Sequence, residues 1–236
     1  MEDTDPPTAP TPTRSRSRRW VTAALVTVIA AGLLALGGGL AVAFGIGRTD
    51  QPSADSVDAG FCRDMSRHHL QAVEMGNLAS GRSTDPDVLR LAFDIASTQT
   101  NQAGRMQGWL TLWGLPLTSG DTMGWMDDAA MGGHEMAGHD MSGTGAADGA
   151  VMPGMATETE LSQLRSLSGT SFDVMFLQLM IRHHQGGLAM AQYGEQHATE
   201  AVVRSLARSI AQTQTAETTT MEQMLRARGG TPLPHP

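Results

Sequence analysis

The chain has 236 residues, of which 40% are hydrophobic and 17% charged, and its formal net charge is -8. This length and composition suit one folded domain of ordinary size with a packed core. The acidic balance argues against nucleic acid as a partner and favours cations over anions. The single cysteine, Cys62, excludes an internal disulfide and a thiolate-rich metal site.

The N-terminal region predicts a polar tail followed by a membrane segment. Residues 1–19 are rich in Pro, Thr, Ser and Arg, and we expect a disordered cytoplasmic tail. Residues 20–47 carry no charge, and a helix of this length spans about 40 Å, against a hydrocarbon core of about 30 Å. Arginines just before this segment predict that the remainder of the chain lies outside the cytoplasm.

Two interpretations of this segment stay open. The length of the apolar run favours a permanent signal anchor, which makes the protein a single-pass membrane protein. The alternative is a signal peptide that is cleaved near the A-x-A sequence at 41–43, which makes the protein secreted. Residues 48–57 are interpreted as a linker to the folded domain.

The rest of the chain contains an internal duplication. Residues 56–114 align without a gap with residues 171–229, and about a third of the aligned positions are identical. Each copy predicts a helical hairpin, with helices near 57–80 and 86–112, and near 172–197 and 199–228. Asp85 followed by Pro86 is typical of a helix start, and Ser171 is the expected N-cap of the third long helix.

The predicted fold class follows from this duplication. Two duplicated helical hairpins give four long helices, so we predict an all-α four-helix bundle over residues 58–232. One N-terminal transmembrane helix precedes it. The copies are expected to be related by an approximate twofold axis.

An insert at residues 115–156 separates the two copies. It holds seven Met, two His and six acidic residues in a Gly- and Ala-rich background. We predict a flexible segment whose thioether and imidazole groups wrap around a soft ion such as copper or silver. The alternative is a linker with incidental methionines. The candidate ligands in this insert are Met131, His134, Met136, His139 and Met141.

A short helix is expected after the insert. Thr157 and Glu160 have the spacing of a capping box, in which each side chain accepts a hydrogen bond from the backbone of the other.

Each copy also carries the pattern M-x-x-H-H-x5-M. Adjacent residues on a helix point about 100° apart, so which histidine of each pair is a ligand stays open. Imidazole and thioether groups favour copper, as Cu(I) or Cu(II), over Mg²⁺ and Ca²⁺, which need oxygen ligands. The candidates are Met65, His68, His69 and Met75 in the first copy, and Met180, His183, His184 and Met190 in the second.

The alternative for these residues is core packing. A methionine at helical spacing is usually a core residue, but packing alone tolerates exchange of Met for Leu. The whole pattern persists although about two thirds of the aligned positions differ, which favours metal binding. The T-Q-T sequence around Gln99 and Gln214 is also retained. We interpret these glutamines as interhelical hydrogen-bond partners, or alternatively as donors to metal-bound histidines.

Three stretches of the sequence resemble the bacterial "domain of unknown function 305" family. They are FDVMFLQLMIRHHQGGLAMAQ, the preceding MPGM, and IAQTQTAETTTMEQML, and the resemblance covers about residues 58–232. It implies a ferritin-like helical bundle that is exported or membrane-anchored, with several members linked to copper. The paired-histidine helix is the most specific motif. The insert also resembles the Met-rich repeats of periplasmic copper-resistance proteins.

These patterns predict a copper-binding protein outside the cytoplasm that buffers copper or exchanges it with a donor or acceptor protein. No catalytic motif accompanies the histidines: Glu-x-x-His, H-E-x-x-H, a nucleophile elbow, a P-loop and C-x-x-C-H are all absent from the sequence. An enzyme is therefore not expected. The alternatives are a copper-dependent redox enzyme and a metal-free helical interaction module.

Overall fold

The computed structural model describes residues 15–43, 51–118, 120, 122–126 and 148–236. These residues form six α-helices and no β-strand, which confirms the all-α prediction. Two compact units divide after Asp50, the first with one helix and the second with five. The helices are α1 (Ser15–Ala43), α2 (Val57–Arg82), α3 (Pro86–Leu112), α4 (Glu158–Ser166), α5 (Gly169–His197) and α6 (Ala201–Ala227).

Helix α1 contains a stretch that is long and apolar enough to cross a membrane. This stretch, Arg18–Ala41, is 24 residues long, and its side chains are not buried within the protein. A helix of that length spans about 36 Å, which exceeds a hydrocarbon core of about 30 Å. A signal sequence near the N-terminus can also contain such a helix, so this finding does not distinguish the anchor from the signal peptide.

Side-chain caps start several helices where the sequence predicts them. Asp85 accepts hydrogen bonds from the backbone N–H groups of Asp87 and Val88, and Pro86 is the first residue of α3, as predicted. The capping box of α4 is also confirmed, because Thr157 and Glu160 each accept a hydrogen bond from the other's backbone N–H.

The starts of α5 and α6 differ from the prediction. Helix α5 begins at Gly169 after Ser168, so the prediction of Ser171 as its N-cap is wrong. Helix α6 begins at Ala201, two residues later than predicted. The reason is the buried carboxylate of Asp58, which accepts hydrogen bonds from the N–H groups of Thr199 and Glu200 and holds them outside the helix.

The four long helices form two hairpins, α2–α3 and α5–α6, which pack against each other through α2 and α5. The N-terminal half of α2 lies beside the C-terminal half of α5: a Cβ on Gly194 would come within 2.7 Å of the Phe61 ring. Helices α2 and α5 are therefore antiparallel, as an approximate twofold between the copies requires. The duplicated-hairpin prediction is confirmed.

The core has two apolar clusters. The Phe61 cluster joins the N-terminal halves of α2 and α6 to the C-terminal halves of α3 and α5, and includes Phe61, Met65, Met106, Met190 and Ile210. The Phe176 cluster joins the four opposite halves, and includes Met75, Ile95, Phe176, Met180 and Leu225.

A layer of polar side chains separates the two clusters along the bundle. We call it the histidine layer; all its members are buried except Glu217, which is half-buried. Its members are His68 and His69 on α2, Gln99 and Gln102 on α3, His183 and His184 on α5, and Gln214 and Glu217 on α6.

The N-terminal part of the insert packs onto the bundle through residues 122–126. The carboxylate of Asp64 accepts hydrogen bonds from the backbone N–H of Met123, at 2.7 Å, and from the indole N–H of Trp125, at 2.8 Å. The indole lies against Gly60, where a Cβ would come within 2.3 Å of the ring. Its ring also meets Phe61 edge to face.

The other end of the insert forms a segment that we call the strap, residues 152–156. Gln71 holds it with two hydrogen bonds, donating to the carbonyl oxygen of Ala156 at 2.9 Å and accepting from its N–H at 2.7 Å. Gly154 has a φ of +78° and lies against the α5 backbone, where a Cβ would be 2.4 Å from the carbonyl oxygen of Arg182. The predicted flexibility of residues 115–156 therefore does not hold for these ends, which apolar side chains and buried hydrogen bonds attach to the bundle.

Candidate metal centre: a buried histidine layer

His68 and His183 face each other across the contact between the two hairpins. Both are fully buried, their ring centroids are 3.8 Å apart, and the rings are tilted by 35°. His183 donates from Nε2 to the backbone oxygen of His68 at 3.0 Å. His68 donates from Nε2 to the backbone oxygen of Pro153 in the strap at 3.2 Å.

His69 and His184 point the other way, towards the second helix of their own hairpin. His69 Nε2 lies 2.8 Å from Oε1 of Gln102, and His184 Nε2 lies 2.7 Å from Oε2 of Glu217. Both partners lie 33 residues after their histidine, at equivalent positions of the two copies. Sequence reasoning missed Gln102 and Glu217 because they differ in residue type, although the repeat offset aligns them.

These hydrogen bonds place a proton on Nε2 of all four imidazoles. Carbonyl and carboxylate oxygens only accept hydrogen bonds, so each Nε2 is a donor. The four Nδ1 atoms of His68, His69, His183 and His184 are buried without a hydrogen-bond partner. A metal-binding histidine has this arrangement: one nitrogen donates to a protein oxygen, and the other is free for the ion.

Burial keeps three of these imidazoles neutral, so that their Nδ1 atoms keep a lone pair. It lowers the pKa of His68 to about 4. It lowers the pKa of His69 to about 3, and the charge of neighbouring His68 adds to the effect. The pKa of His183 falls well below its ordinary value because of burial and its contact with His68. Neutral imidazole is the form that binds metal ions.

The four predicted helical methionines are all fully buried on either side of the layer. Met65 and Met190 belong to the Phe61 cluster, and Met75 and Met180 belong to the Phe176 cluster. The antiparallel arrangement thus groups each first-position methionine with the last-position methionine of the other copy. Cys62 is also buried in the Phe61 cluster, and burial raises the pKa of its thiol, so it does not supply a thiolate.

The described part of the chain contains no group of three or more His, Cys, Asp or Glu side chains placed to hold a metal ion. An ion in the layer therefore needs thioether or amide ligands besides imidazole. Gln214 leaves both atoms of its side-chain amide without a hydrogen-bond partner, so its interpretation as an interhelical hydrogen-bond partner is wrong. Met131, His134, Met136, His139 and Met141 lie outside the described residues.

The sequence profile of the family described as "Domain of unknown function (DUF305)" matches residues 58–225, which is most of the chain. The chain belongs to the DUF305 family. This result confirms the resemblance that the paired-histidine helix and the MPGM sequence indicated. A comparison with functionally curated protein sequences found no match.

Solved structures place this DUF305 chain among helical bundles. A DUF305 protein from Streptomyces coelicolor, named as a provisional secreted protein, is 43% identical with a TM-score of 0.66, over 78% of this chain and 100% of that chain. A DUF305 fragment from Deinococcus radiodurans is 31% identical with a TM-score of 0.58, over 72% of this chain and 96% of the fragment.

A further similar structure is CopM, solved in Cu(I)-bound and Cu(II)-bound forms. These forms are 22% and 24% identical to this DUF305 chain, with TM-scores of 0.53 and 0.54. Each comparison covers 73% of this chain, and 98% and 97% of CopM respectively. At this level of identity the comparison shows a shared fold.

Proposed function

We propose that this DUF305 protein is an exported, membrane-anchored copper-binding protein that buffers copper or hands it to a partner protein. The observation that carries the proposal is the set of four buried imidazoles, each with a donating Nε2 and an unpartnered Nδ1. Leaving buried polar atoms unpaired costs about 1–3 kcal/mol each, so a fold that keeps four of them calls for a ligand.

The chemistry of the ligands favours copper over other ions. Neutral imidazole nitrogens and thioether sulfurs suit Cu(I) and Cu(II), whereas Mg²⁺ and Ca²⁺ need several oxygen ligands. The shared fold with CopM, which was solved with Cu(I), Cu(II) and Ag, adds support for this ion class.

The position of the layer supports a binding role rather than catalysis. All four histidines are fully buried, and two surface grooves, one beside Leu179 and one beside Phe93, are lined by residues outside the histidine layer. A redox enzyme needs an open coordination position that its substrate reaches. We therefore propose storage or transfer of the ion. For location, the apolar stretch of α1, which follows several arginines, supports a bundle outside the cytoplasm, anchored by α1.

The insert is proposed as a second, weaker binding region. Its candidate ligands, Met131, His134, Met136, His139 and Met141, stand in a Gly-rich segment. Ordering a flexible chain costs roughly 1–2 kcal/mol per residue, so this region should bind more weakly and exchange ions faster than the histidine layer. Thioethers do not titrate, so Cu(I) or Ag(I) held by the insert should survive acidification better than Cu(II) held by imidazole.

The first experiment is metal analysis of the full chain purified from copper-supplemented cells, followed by chelator competition on variants. The paired variants H68A/H69A and H183A/H184A each should lower Cu(II) affinity at least tenfold. Circular dichroism of the metal-free variants separates lost ligands from lost fold. Unchanged affinity in both variants, with the helices intact, would reduce the histidines to core packing.

The second experiment uses an insert variant in which the three methionines become leucine and the two histidines become alanine. Substitution is preferable to deletion of 121–155, which would remove the anchoring contacts of Trp125 and the strap. We expect lower Cu(I) and Ag(I) capacity and unchanged Cu(II) affinity in the layer. Unchanged Cu(I) capacity would leave the insert as a linker only.

A further inference from the structure

Gly187 on α5 marks a point where two polar groups of the histidine layer meet. A Cβ built on Gly187 would lie 2.9 Å from Oε1 of Gln214, 3.0 Å from its Nε2, and 3.1 Å from Cε1 of His68. A methyl group at these distances would push the end of the Gln214 side chain and the His68 ring away from this point. Glycine therefore lets the amide of α6 and the imidazole of α2 approach the same point without a side chain between them.

The amide of Gln214 has no explanation within the protein. Its side chain is 3% exposed, and neither Oε1 nor Nε2 has a hydrogen-bond partner. The neighbouring His68 uses Nε2 to donate to Pro153, and its Nδ1 lone pair is also unpartnered. An amide and an imidazole ring, each buried and each with an unpartnered polar atom, thus approach from two helices.

The duplication provides an internal comparison. The position equivalent to Gly187 in the first copy is Ala72, which is fully buried, and the position equivalent to Gln214 is Gln99. The first copy therefore carries a methyl group where the second copy has none. The two halves of the layer share the histidine pair and this glutamine but differ in the methyl group beside them.

We propose that Nδ1 of His68 and Oε1 of Gln214 are ligands of one Cu(II) ion, and that this site exists only in the half of the layer that contains Gly187. The inference rests on the proposed function and narrows it to a particular ion and place. Nitrogen and amide oxygen together form a harder donor set than methionine sulfur and suit Cu(II) rather than Cu(I). The protein then separates the two oxidation states, with Cu(II) in the bundle and Cu(I) in the insert.

The test uses the full chain in detergent, in the background of the insert variant described above, titrated with CuCl₂. Four single substitutions form two matched pairs: Gly187→Ala with its counterpart Ala72→Gly, and Gln214→Leu with its counterpart Gln99→Leu. Cu(II) affinity is measured by chelator competition, and the coordinating nitrogen and oxygen are followed by electron paramagnetic resonance. Circular dichroism and thermal melting of the metal-free proteins report on folding.

We expect Gly187→Ala and Gln214→Leu to weaken Cu(II) binding about tenfold or more and to change the resonance spectrum. Ala72→Gly and Gln99→Leu should change affinity by no more than about twofold. If Gly187→Ala fails to fold, Gln214→Leu, which creates no clash, decides the matter.

Equal effects within each pair would overturn the proposed asymmetry. Unchanged affinity in all four variants would show that the amide of Gln214 holds only water. If the insert variant binds no Cu(II) while the wild-type chain does, this site is refuted and the proposed copper function rests on the insert alone.

Discussion

The two hairpins of this bundle bury the same pair of histidines equally but give them different hydrogen-bond partners. In the first hairpin His69 meets the neutral amide of Gln102, whereas in the second His184 meets the carboxylate of Glu217. His183 donates to the opposite hairpin, but His68 donates to the strap. A retained motif therefore fixes which groups are buried, while the residues around it fix what each group can do.

The largest expected effect tests whether both hairpins depend on neutral imidazoles. The pKa of His68 is about 4 in the folded protein and about 6.5 when unfolded, so the unfolded chain binds the proton more readily between these pH values. The contribution of neutral His68 to the free energy of unfolding is fully present above about pH 6.5 and is lost as the pH falls towards 4. For His68 alone the loss is about 3 kcal/mol.

Urea unfolding of the metal-free protein across this pH range measures the loss, with His68→Asn as the comparison because Asn does not titrate. His69 and His183 add to the effect, since their pKa values are also lowered. A stability that does not change between pH 7 and pH 4.5 would contradict the burial of neutral imidazoles.

A second prediction compares two equivalent aspartates. Asp58 accepts three hydrogen bonds, from the N–H and hydroxyl of Thr199 and from the N–H of Glu200. Its counterpart Asp173 is equally buried but leaves Oδ1 without a partner. Asp58→Ala should lower the free energy of unfolding by about 2 kcal/mol, since it leaves buried donors unpaired, and Asp173→Ala should lower it less.

Urea denaturation of the two variants at pH 7 makes this comparison directly. Asp58→Asn serves as the control, because it keeps an acceptor oxygen and should retain part of the stability. A larger loss for Asp173→Ala than for Asp58→Ala would contradict the difference in hydrogen bonding.

A third prediction exchanges the hydrogen-bond partners of His69 and His184. Glu217→Gln gives the second hairpin the partner of the first and removes a carboxylate that orients His184. Loss of such an orienting group costs about tenfold in metal affinity. The reciprocal change, Gln102→Glu, puts a carboxylate where the side chain is only 8% exposed, and should destabilise the metal-free protein by about 1 kcal/mol or more.

Chelator competition and urea unfolding of both variants provide the two measurements. If Glu217→Gln binds Cu(II) as tightly as the wild type, His184 and its carboxylate take no part in the site. The double exchange, with both substitutions in one chain, shows whether the partners are interchangeable.

The smallest expected effect concerns the strap, which the two copies hold through different contacts. Gln71 binds Ala156 through two hydrogen bonds, and its counterpart in the second copy is Gly186. Gln71→Ala should cost no more than about 1 kcal/mol of stability, since its two hydrogen bonds to Ala156 are only partly buried and other contacts also hold the strap. It should speed copper binding severalfold by loosening the cover over His68. Stopped-flow tryptophan quenching measures the rate, and a slower rate would contradict the role of the strap as a cover.

Much of this architecture could be predicted from the sequence. Helical spacing, the Asp85–Pro86 start and the in-register repeat defined the two hairpins, because these signals are local or depend on a fixed offset. The M-x-x-H-H-x5-M pattern singled out the four histidines, but it left open which histidine of each pair lies at the contact between the copies. The divergence of His69 and His184 followed from the angle between adjacent helical residues.

Other features depend on contacts between distant segments that share no sequence pattern. Asp58 lies on α2 and shifts the start of α6 by hydrogen bonding, so no signal near residue 199 indicates the shift. The strap docks through the backbone of Pro153 and Gly154, and the glycine that this contact favours does not stand out in a Gly-rich insert. Gln214 was interpreted as a hydrogen-bond partner because sequence alone cannot show that a buried amide remains unpaired.

The relation between Gly187 and Ala72 has a consequence for how such a protein can diversify. In a symmetric assembly of two identical hairpins, a residue beside the axis occurs twice, and every mutation changes both sides together. Joining the hairpins in one chain removes that constraint. One hairpin can then keep the methyl group of Ala72 for packing while the other has Gly187 and leaves space for a ligand. A single gene can therefore encode one half of the layer that stabilises the fold and another half that binds.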